Sequence, residues 1–349
     1  MRLEQLTFTR FIAVAAIVVF HFGTSVYPFN IPLLSPLFHA AYVGVSYMYL
    51  LSGFVMMIAY QHKKKEGIAL RTFYRNRLAR VYPMYVLALV ITIFFYSIDE
   101  RIFSVQEVLL NVFALQAWVP GDALSLNAPG WSVSVEVFFY VLFPLLFNYV
   151  YRNGSFIKLM LIAILLWLLT QVGLNIALHT SFYKGFPSAS HDLLFYFPLM
   201  HLNEFIIGNI AGLLFVIRKE KQCRNNDGLL LLLVAISVVG VYLLQHFSFH
   251  DGLFALLYAP LLYCLSLNDG NITRLFTKKI FVWAGEISYA IFILQKPFFL
   301  FGRKYLPSIG VKDSAIQFYI IFILLLIFSF LTYRYVETPA RKWILQWKP

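Results

Sequence analysis

About ten stretches of roughly 20 apolar residues recur along the 349-residue chain, and nothing else restricts its folding so tightly. Each is long enough to cross the ~30 Å hydrocarbon core of a bilayer as a helix. In lipid a backbone satisfies its N–H and C=O groups only within helices or a closed barrel. A barrel needs strands that alternate polar and apolar residues over about ten positions, and no such runs occur. The chain therefore reads as an all-α integral membrane protein with about ten transmembrane helices, near residues 7–25, 40–60, 81–97, 133–150, 157–177, 199–217, 228–246, 252–268, 282–301 and 315–334. Its 60% hydrophobic and 13% charged residues fit that class, since soluble domains run near 45–50% and 25%. The first stretch is not read as a signal peptide, because no small-residue cleavage site follows it and His21 interrupts it.

The basic residues set the orientation. With the N-terminus inside, the inner segments hold 22 of the 28 lysines and arginines, as the cytoplasmic bias of these residues requires. Both termini are then expected to be cytoplasmic. The net charge of +12 reads as topology and contact with anionic membrane lipid, not as nucleic-acid binding, which needs a basic face on a soluble domain. Cys223 and Cys264 fall too far apart in this topology for a disulfide and are expected to be reduced. With no internal repeat and no low-complexity tract, residues 1–349 form a single membrane domain, and a repeat-built transporter has little support.

Against that apolar background the ionisable residues stand out. Arg10 and His21 share the first stretch with ten residues between them. Eleven helical steps advance about 16 Å and return to within about 20° of the same face. Each buried ionisable group costs roughly 2.5–3.5 kcal/mol on insertion scales, so a function must offset the cost. In the inner segment 61–80, Lys63 to Lys65 read as a positive-inside anchor. Arg77 and Arg80, three apart and abutting the next apolar run, are suited to bidentate contact with phosphate. The outer segment 98–132 ends in NAPGWSVSVEVFF, where Asn127 and Pro129 to Ser134 suggest a turn into a helix, with Ser132 as a cap. Glu136, one turn or so into the helix and near the outer leaflet, must then face a cavity or a cation. His201 and Glu204, three apart, suit proton sharing, contact with a sugar hydroxyl, or a purely structural pair. Two groups do not make a zinc site, and no HExxH or CxxC spacing occurs, so no catalytic metal is expected. Packing and interfacial belts account for most of the aromatic residues.

Taken together, these motifs resemble the acyltransferase-3 family of membrane O-acyltransferases. The match rests on Arg10 with His21, on SGF at Ser52 to Phe54, on RLARVYP from Arg77 to Pro83, and on WSVSVEVFFYVLFP from Trp131 to Pro144. GEISYAIFILQKPF from Gly285 to Phe298 and YVETPARKW from Tyr335 to Trp343 extend it over essentially the whole chain. SGF or Glu-x-Pro alone is weak, whereas the ordered set is specific. One departure concerns the residue before the late proline, where many members have a His and this chain has Gln295 and Lys296 before Pro297. The absence of a long extension after the tenth stretch is expected to make this a stand-alone member without an SGNH domain.

The resemblance implies a multi-pass protein of the bacterial inner membrane that transfers an acyl group, most often acetyl, from cytoplasmic acetyl-CoA or another acyl-CoA. The acceptor is then a hydroxyl of a cell-surface or lipid-linked glycan on the extracytoplasmic side, with outer segments 26–39, 98–132 and 178–198 setting its identity. Arg10, Arg77 and Arg80 would hold the CoA phosphates. His21, about three turns deeper, would act as general base or as transient acyl carrier, with Glu136 orienting it. Ser52, Trp131, Ser132, His201, Glu204, Ser288, Tyr289 and Lys296 are further candidates. Two rival readings remain: a transporter or flippase for a lipid-linked glycan or small anion, and a family member that keeps the CoA-binding half but serves as a partner or sensor.

Overall fold

Long helices form where the apolar stretches stand. The computed structural model describes residues 3–218, 225–244 and 249–347. Arg2, Lys219, Lys221, Arg224 and Lys348, which enter the charge-based topology, lie outside the described residues, as does Cys223. In chain order the long helices are α1 (Gln5–Phe22), α2 (Gly44–Tyr60), α3 (Leu70–Ile98), α4 (Gly130–Leu146), α5 (Phe156–Leu178), α6 (Leu202–Arg218), α7 (Asp227–Leu244), α8 (Ala255–Leu267), α9 (Lys279–Tyr305) and α10 (Ser314–Thr332), followed by the shorter α11 (Thr338–Gln346). No strand forms among the described residues, as an all-α membrane protein requires. Eight helical segments among them are long and apolar enough to cross a bilayer. The expected stretches outside that set differ for physical reasons. Helix α8 has 13 residues, short of a 30 Å core at about 1.5 Å per residue. Helix α9 has the length, but Lys279, Glu286, Lys296, Arg303 and Lys304 dilute its apolar character.

Two boundaries differ from the sequence reading. The inner segment 61–80 is a loop only as far as Ala69, because α3 begins at Leu70 and carries Arg77 and Arg80 on its own turns. The outer segment 98–132 holds a further helix, Val105–Val112, whose N-cap Ser104 accepts from the Glu107 backbone N–H at 3.0 Å. Serine followed three residues later by glutamate is a capping-box sequence.

Small residues set the helix contacts. Helices α2 and α6 pack so closely that a methyl group at Gly208 would meet the Leu50 carbonyl, and one at Gly53 would meet the Phe205 carbonyl. Packing of this kind, not hydrophobic burial, drives helix association in lipid. A side chain at Gly285 of α9 would likewise strike the Thr7 carbonyl of α1, while Phe22 and Phe299 stack at 4.2 Å toward the other ends of the same helices. Helices α1 and α9 therefore run parallel in close contact. Pro297 deprives the Ile293 carbonyl of its helical partner, and the buried Asn127 side chain donates to that oxygen at 2.8 Å. The two chain ends meet on one side, where Leu3 and Arg341 line the same cavity and Arg75 donates to the Trp347 carbonyl at 2.9 Å.

Candidate functional site

A cavity of about 420 Å³ opens between α1, α2, α3, α4 and α9, with the C-terminal segment at its mouth. Its charged lining is Arg10, Arg77, Arg80 and Arg341 against Glu136, Glu286 and Glu337, so positive groups outnumber negative ones. The fold thus joins three arginines singled out from sequence, brought from two helices by the parallel run of α1 and the inward extension of α3. Ser52, Ser132, Ser288 and Tyr289 complete the set of expected residues in the lining.

Several of these side chains are held by recognisable contacts. The Arg77 guanidinium lies 5.4, 5.6 and 5.7 Å from the ring centres of Phe73, Tyr140 and Tyr60, an aromatic cage that restrains a cation. Its Nε is buried with no hydrogen-bond partner among the described residues. Glu136 accepts from the Tyr140 hydroxyl one turn further along α4, and it acts electrostatically on Arg10, beside which Arg80 also stands. Ser132 and Ser288 turn their hydroxyls back to the carbonyls of Pro129 and Gly285 at 2.9 and 2.8 Å. Tyr289 donates to the Val81 carbonyl at 3.1 Å, which braces α9 against α3. At the mouth Glu337 faces both Arg80 and Arg341, and Tyr333 donates to Glu286 at 3.1 Å.

His21 occupies a separate place. It stands on the last turn of α1, exposed, and is not part of the cavity lining. Its charged neighbour is Lys296 of α9, whose Nζ donates to the Leu126 carbonyl at 3.0 Å. Arg303 closes the same end of α1 by donating to the Phe22 carbonyl at 2.5 Å. The expected contact of Glu136 with His21 is therefore not formed. Glu136 instead sits at the level of Arg10, which lies about 16 Å along α1 from His21. α1 ends one residue after His21, at the level of Lys296 of α9.

His201 and Glu204 do pair, with Nδ1 and Oε1 3.1 Å apart, and both are fully buried. In this structure neither side chain reaches a surface. The fold adds His250 and Asp251, so that donor atoms of His201, His250 and Asp251 all lie within 4.8 Å of one another. Trp131 packs its ring 5.4 Å from that of His201 and so belongs to this cluster, away from the cavity. The sequence reading missed Tyr140, Glu286, Glu337 and Arg341. Tyr140 carried a usable signal, since it follows Glu136 at the four-residue helical spacing. His250 and Asp251 carried none, being about fifty positions from their partners.

A family model described as an acyltransferase domain matches residues 3–334. An acyltransferase of Streptomyces mycarofaciens, MdmB, is 31% identical over 159 residues, which cover 43% of this chain and 40% of that protein. The O-acetyltransferase OatA of Staphylococcus aureus is 21% identical over 351 residues, covering 92% of this chain and 55% of that protein. The chain thus spans between about 40% and 55% of the length of these relatives. No solved structure matches it.

Proposed function

Because the chain belongs to the acyltransferase domain family, we propose that it moves an acyl group, acetyl in the first instance, from cytoplasmic acyl-CoA to a hydroxyl of a cell-surface or lipid-linked glycan outside the bacterial inner membrane. Both chain termini, on this reading, face the cytoplasm with the cavity mouth. The observation that carries the proposal is the convergence of four arginines on one intramembrane cavity, with His21 further along the helix that supplies Arg10. Fixed guanidinium groups are suited to bidentate capture of the donor's phosphates, and the aromatic cage around Arg77 limits the freedom that side chain loses on binding. The pantetheine arm then follows α1 and α9 outward for a distance on the order of 16 Å, which brings the thioester to His21 and Lys296.

At that end the chemistry is a substitution at the acyl carbon. The acceptor oxygen forms the new C–O bond, its proton passes to the His21 imidazole, and the C–S bond to CoA breaks. The imidazolium then returns the proton to the leaving thiolate. In the two-step form a His21 ring nitrogen attacks the acyl carbon as the C–S bond breaks and CoA leaves as thiolate; the acceptor oxygen then displaces the imidazole by breaking the C–N bond, and its proton goes to the thiolate. Lys296, anchored by the Leu126 carbonyl, is placed to balance negative charge developing on the thioester oxygen. Glu136 acts at the other level, where it offsets part of the arginine charge so that the donor can also leave.

Inside-out vesicles given acetyl-CoA labelled in the acetyl group test this directly. Wild type should pass label to a glycan or lipid fraction, and both His21→Ala and the double variant Arg77→Ala with Arg80→Ala should lose that transfer at equal expression. Absence of transfer or CoA release by wild type, with native glycan present and other acyl-CoA donors tried, would favour a transporter.

A further inference from the structure

We infer that His201, His250 and Asp251, with Glu204 beside them, bind one divalent transition-metal ion of the zinc type. The site lies where α6 and α8 begin, and it does not depend on the acyl-transfer reading. His201 ends the short turn Pro198–His201 that leads into α6, Glu204 stands on the first turn of α6, and His250 and Asp251 open the turn Asp251–Phe254 that leads into α8. The four residues are 0%, 0%, 3% and 6% exposed for His201, Glu204, His250 and Asp251. Groups buried to this degree must satisfy one another or a bound ion.

They satisfy one another only in part. His201 Nε2 lies 2.9 Å from the Phe195 carbonyl, which can only accept, so the proton of a neutral ring sits on Nε2. Nδ1 stands 3.1 Å from the Glu204 carboxylate, so this contact is satisfied only when the ring carries a second proton or a cation takes that proton's place. His250 Nδ1 accepts from the Gly252 backbone N–H at 3.1 Å and stands 3.4 Å from Asp251 Oδ1, which leaves Nε2 as the ring atom free to bind an ion. Glu204 Oε2, Asp251 Oδ1 and His250 Nε2 have no hydrogen-bond partner among the described residues. The charged groups acting on His201, His250 and Asp251 are members of the cluster itself. Two carboxylates need two positive charges, which protons or one divalent cation can supply, and only the cation also gives Glu204 Oε2, Asp251 Oδ1 and His250 Nε2 the partner they lack among the described residues.

The donor chemistry selects the ion. Mixed imidazole and carboxylate sets suit zinc, and to a lesser degree manganese, iron or cobalt, with calcium and magnesium disfavoured by the nitrogen donors. Ligand atoms of a tetrahedral shell with bonds of about 2.0–2.1 Å stand roughly 3.3 Å apart; His201 Nδ1 and Glu204 Oε1 are 3.1 Å apart, and the donor atoms of His201, His250 and Asp251, within 4.8 Å of one another, would have to draw together around the ion. The Phe195 carbonyl fixes the His201 tautomer in the manner of an outer-shell partner. Tyr49 and Trp131 rings lie 5.0 and 5.4 Å from that of His201 and screen the site from the cavity that Tyr49 also lines. The ion is therefore structural: it ties the entry to α6 to the entry to α8 and fixes the wall formed by Tyr49. Sequence alone offered only His201 and Glu204, too few for such a site.

The test uses the full chain purified in mild detergent without chelator, incubated with zinc chloride and freed of excess by gel filtration. Metal content and the thermal unfolding midpoint are then measured. Wild type and the exposed-histidine control His39→Ala should retain about one zinc per chain, and chelation should lower their midpoints. His250→Ala and the isosteric Asp251→Asn should bind zinc at least about 10–100-fold more weakly and show no midpoint shift with zinc or chelator. The proposal is overturned if wild type retains no zinc, manganese or cobalt and its midpoint ignores them, which would leave protons as the neutralising charge. Retention of zinc by both cluster variants at the wild-type level would overturn it equally. Should His250→Ala fail to fold, Asp251→Asn and chelation of wild type still decide.

Discussion

The arginine cavity and the histidine–carboxylate cluster both set ionisable groups among apolar helices, yet they are built in opposite ways. The cavity is open at one end of the bundle, draws on several helices and carries more arginines than glutamates. The cluster is closed, sits where two helices begin, and combines carboxylates with imidazoles. An open cationic cavity suits an anion that comes and goes, since water can cover the arginines between visits. A closed cluster has no such reserve, so its neutralising charge must stay. Changes in the cavity should thus appear in turnover and substrate affinity, and changes in the cluster should appear in stability.

The strongest challenge to that division is His21→Ala. The ring is exposed at the end of α1, so its loss should leave the unfolding midpoint nearly unchanged while acyl transfer falls by about 10²–10⁴-fold, the range for a general acid–base group. Transfer kept at more than about a tenth of wild type would move the chemistry away from this histidine. Next in size is the double variant Arg77→Ala with Arg80→Ala. Hydrogen bonds to charged groups contribute about 1.5–3 kcal/mol each, so KM for acyl-CoA should rise at least tenfold with little change in the unfolding midpoint. Glu204→Gln should do the reverse. Replacing the buried carboxylate beside His201 should cost about 1–3 kcal/mol of stability and leave KM where it was. Thermal melts and donor-saturation curves on the two variants together decide the point. A rise in KM from Glu204→Gln without a lower midpoint would make the cluster part of the substrate site.

The same contrast explains what could be read in advance. Helix positions were legible because lipid leaves the backbone so few options, and the apolar stretch is the direct imprint of that limit. The cavity was legible in part because its residues lie in short segments, such as Arg77 with Arg80 or Ser132 with Glu136, where helical periodicity fixes which side chains can share a face. Where a residue falls along the bundle was harder. The apolar run continues past His21, but α1 stops at Phe22, where Arg303 from α9 meets the final carbonyl. The pairing of Glu136 with Arg10 instead of His21 depends on how far α4 slides along α1, which no local pattern records. The cluster was half legible for the same reason: His201 and Glu204 are one turn apart, whereas His250 and Asp251 arrive from beyond α7 through tertiary packing.

The smallest expected effect is also the one that sharpens the account of Glu136. Its carboxylate has two supports, the Tyr140 hydroxyl on its own helix and the positive charge of Arg10 across the cavity. Tyr140→Phe removes the first and keeps the ring that stands 5.6 Å from the Arg77 guanidinium. Because the cavity is open, water can replace the lost donor, and transfer should fall by only about 2–5-fold with KM nearly constant. Tyr140→Leu removes the ring as well and loosens the cage around Arg77, so KM should rise further by a factor of about 2–5, the worth of an exposed cation–π contact. Equal behaviour of the two variants would mean that the aromatic cage contributes nothing to donor binding. A collapse of activity in Tyr140→Phe alone would mean that the phenolic proton itself is used, and the cavity would then hold a second acid–base group in place of an electrostatic seat for the donor.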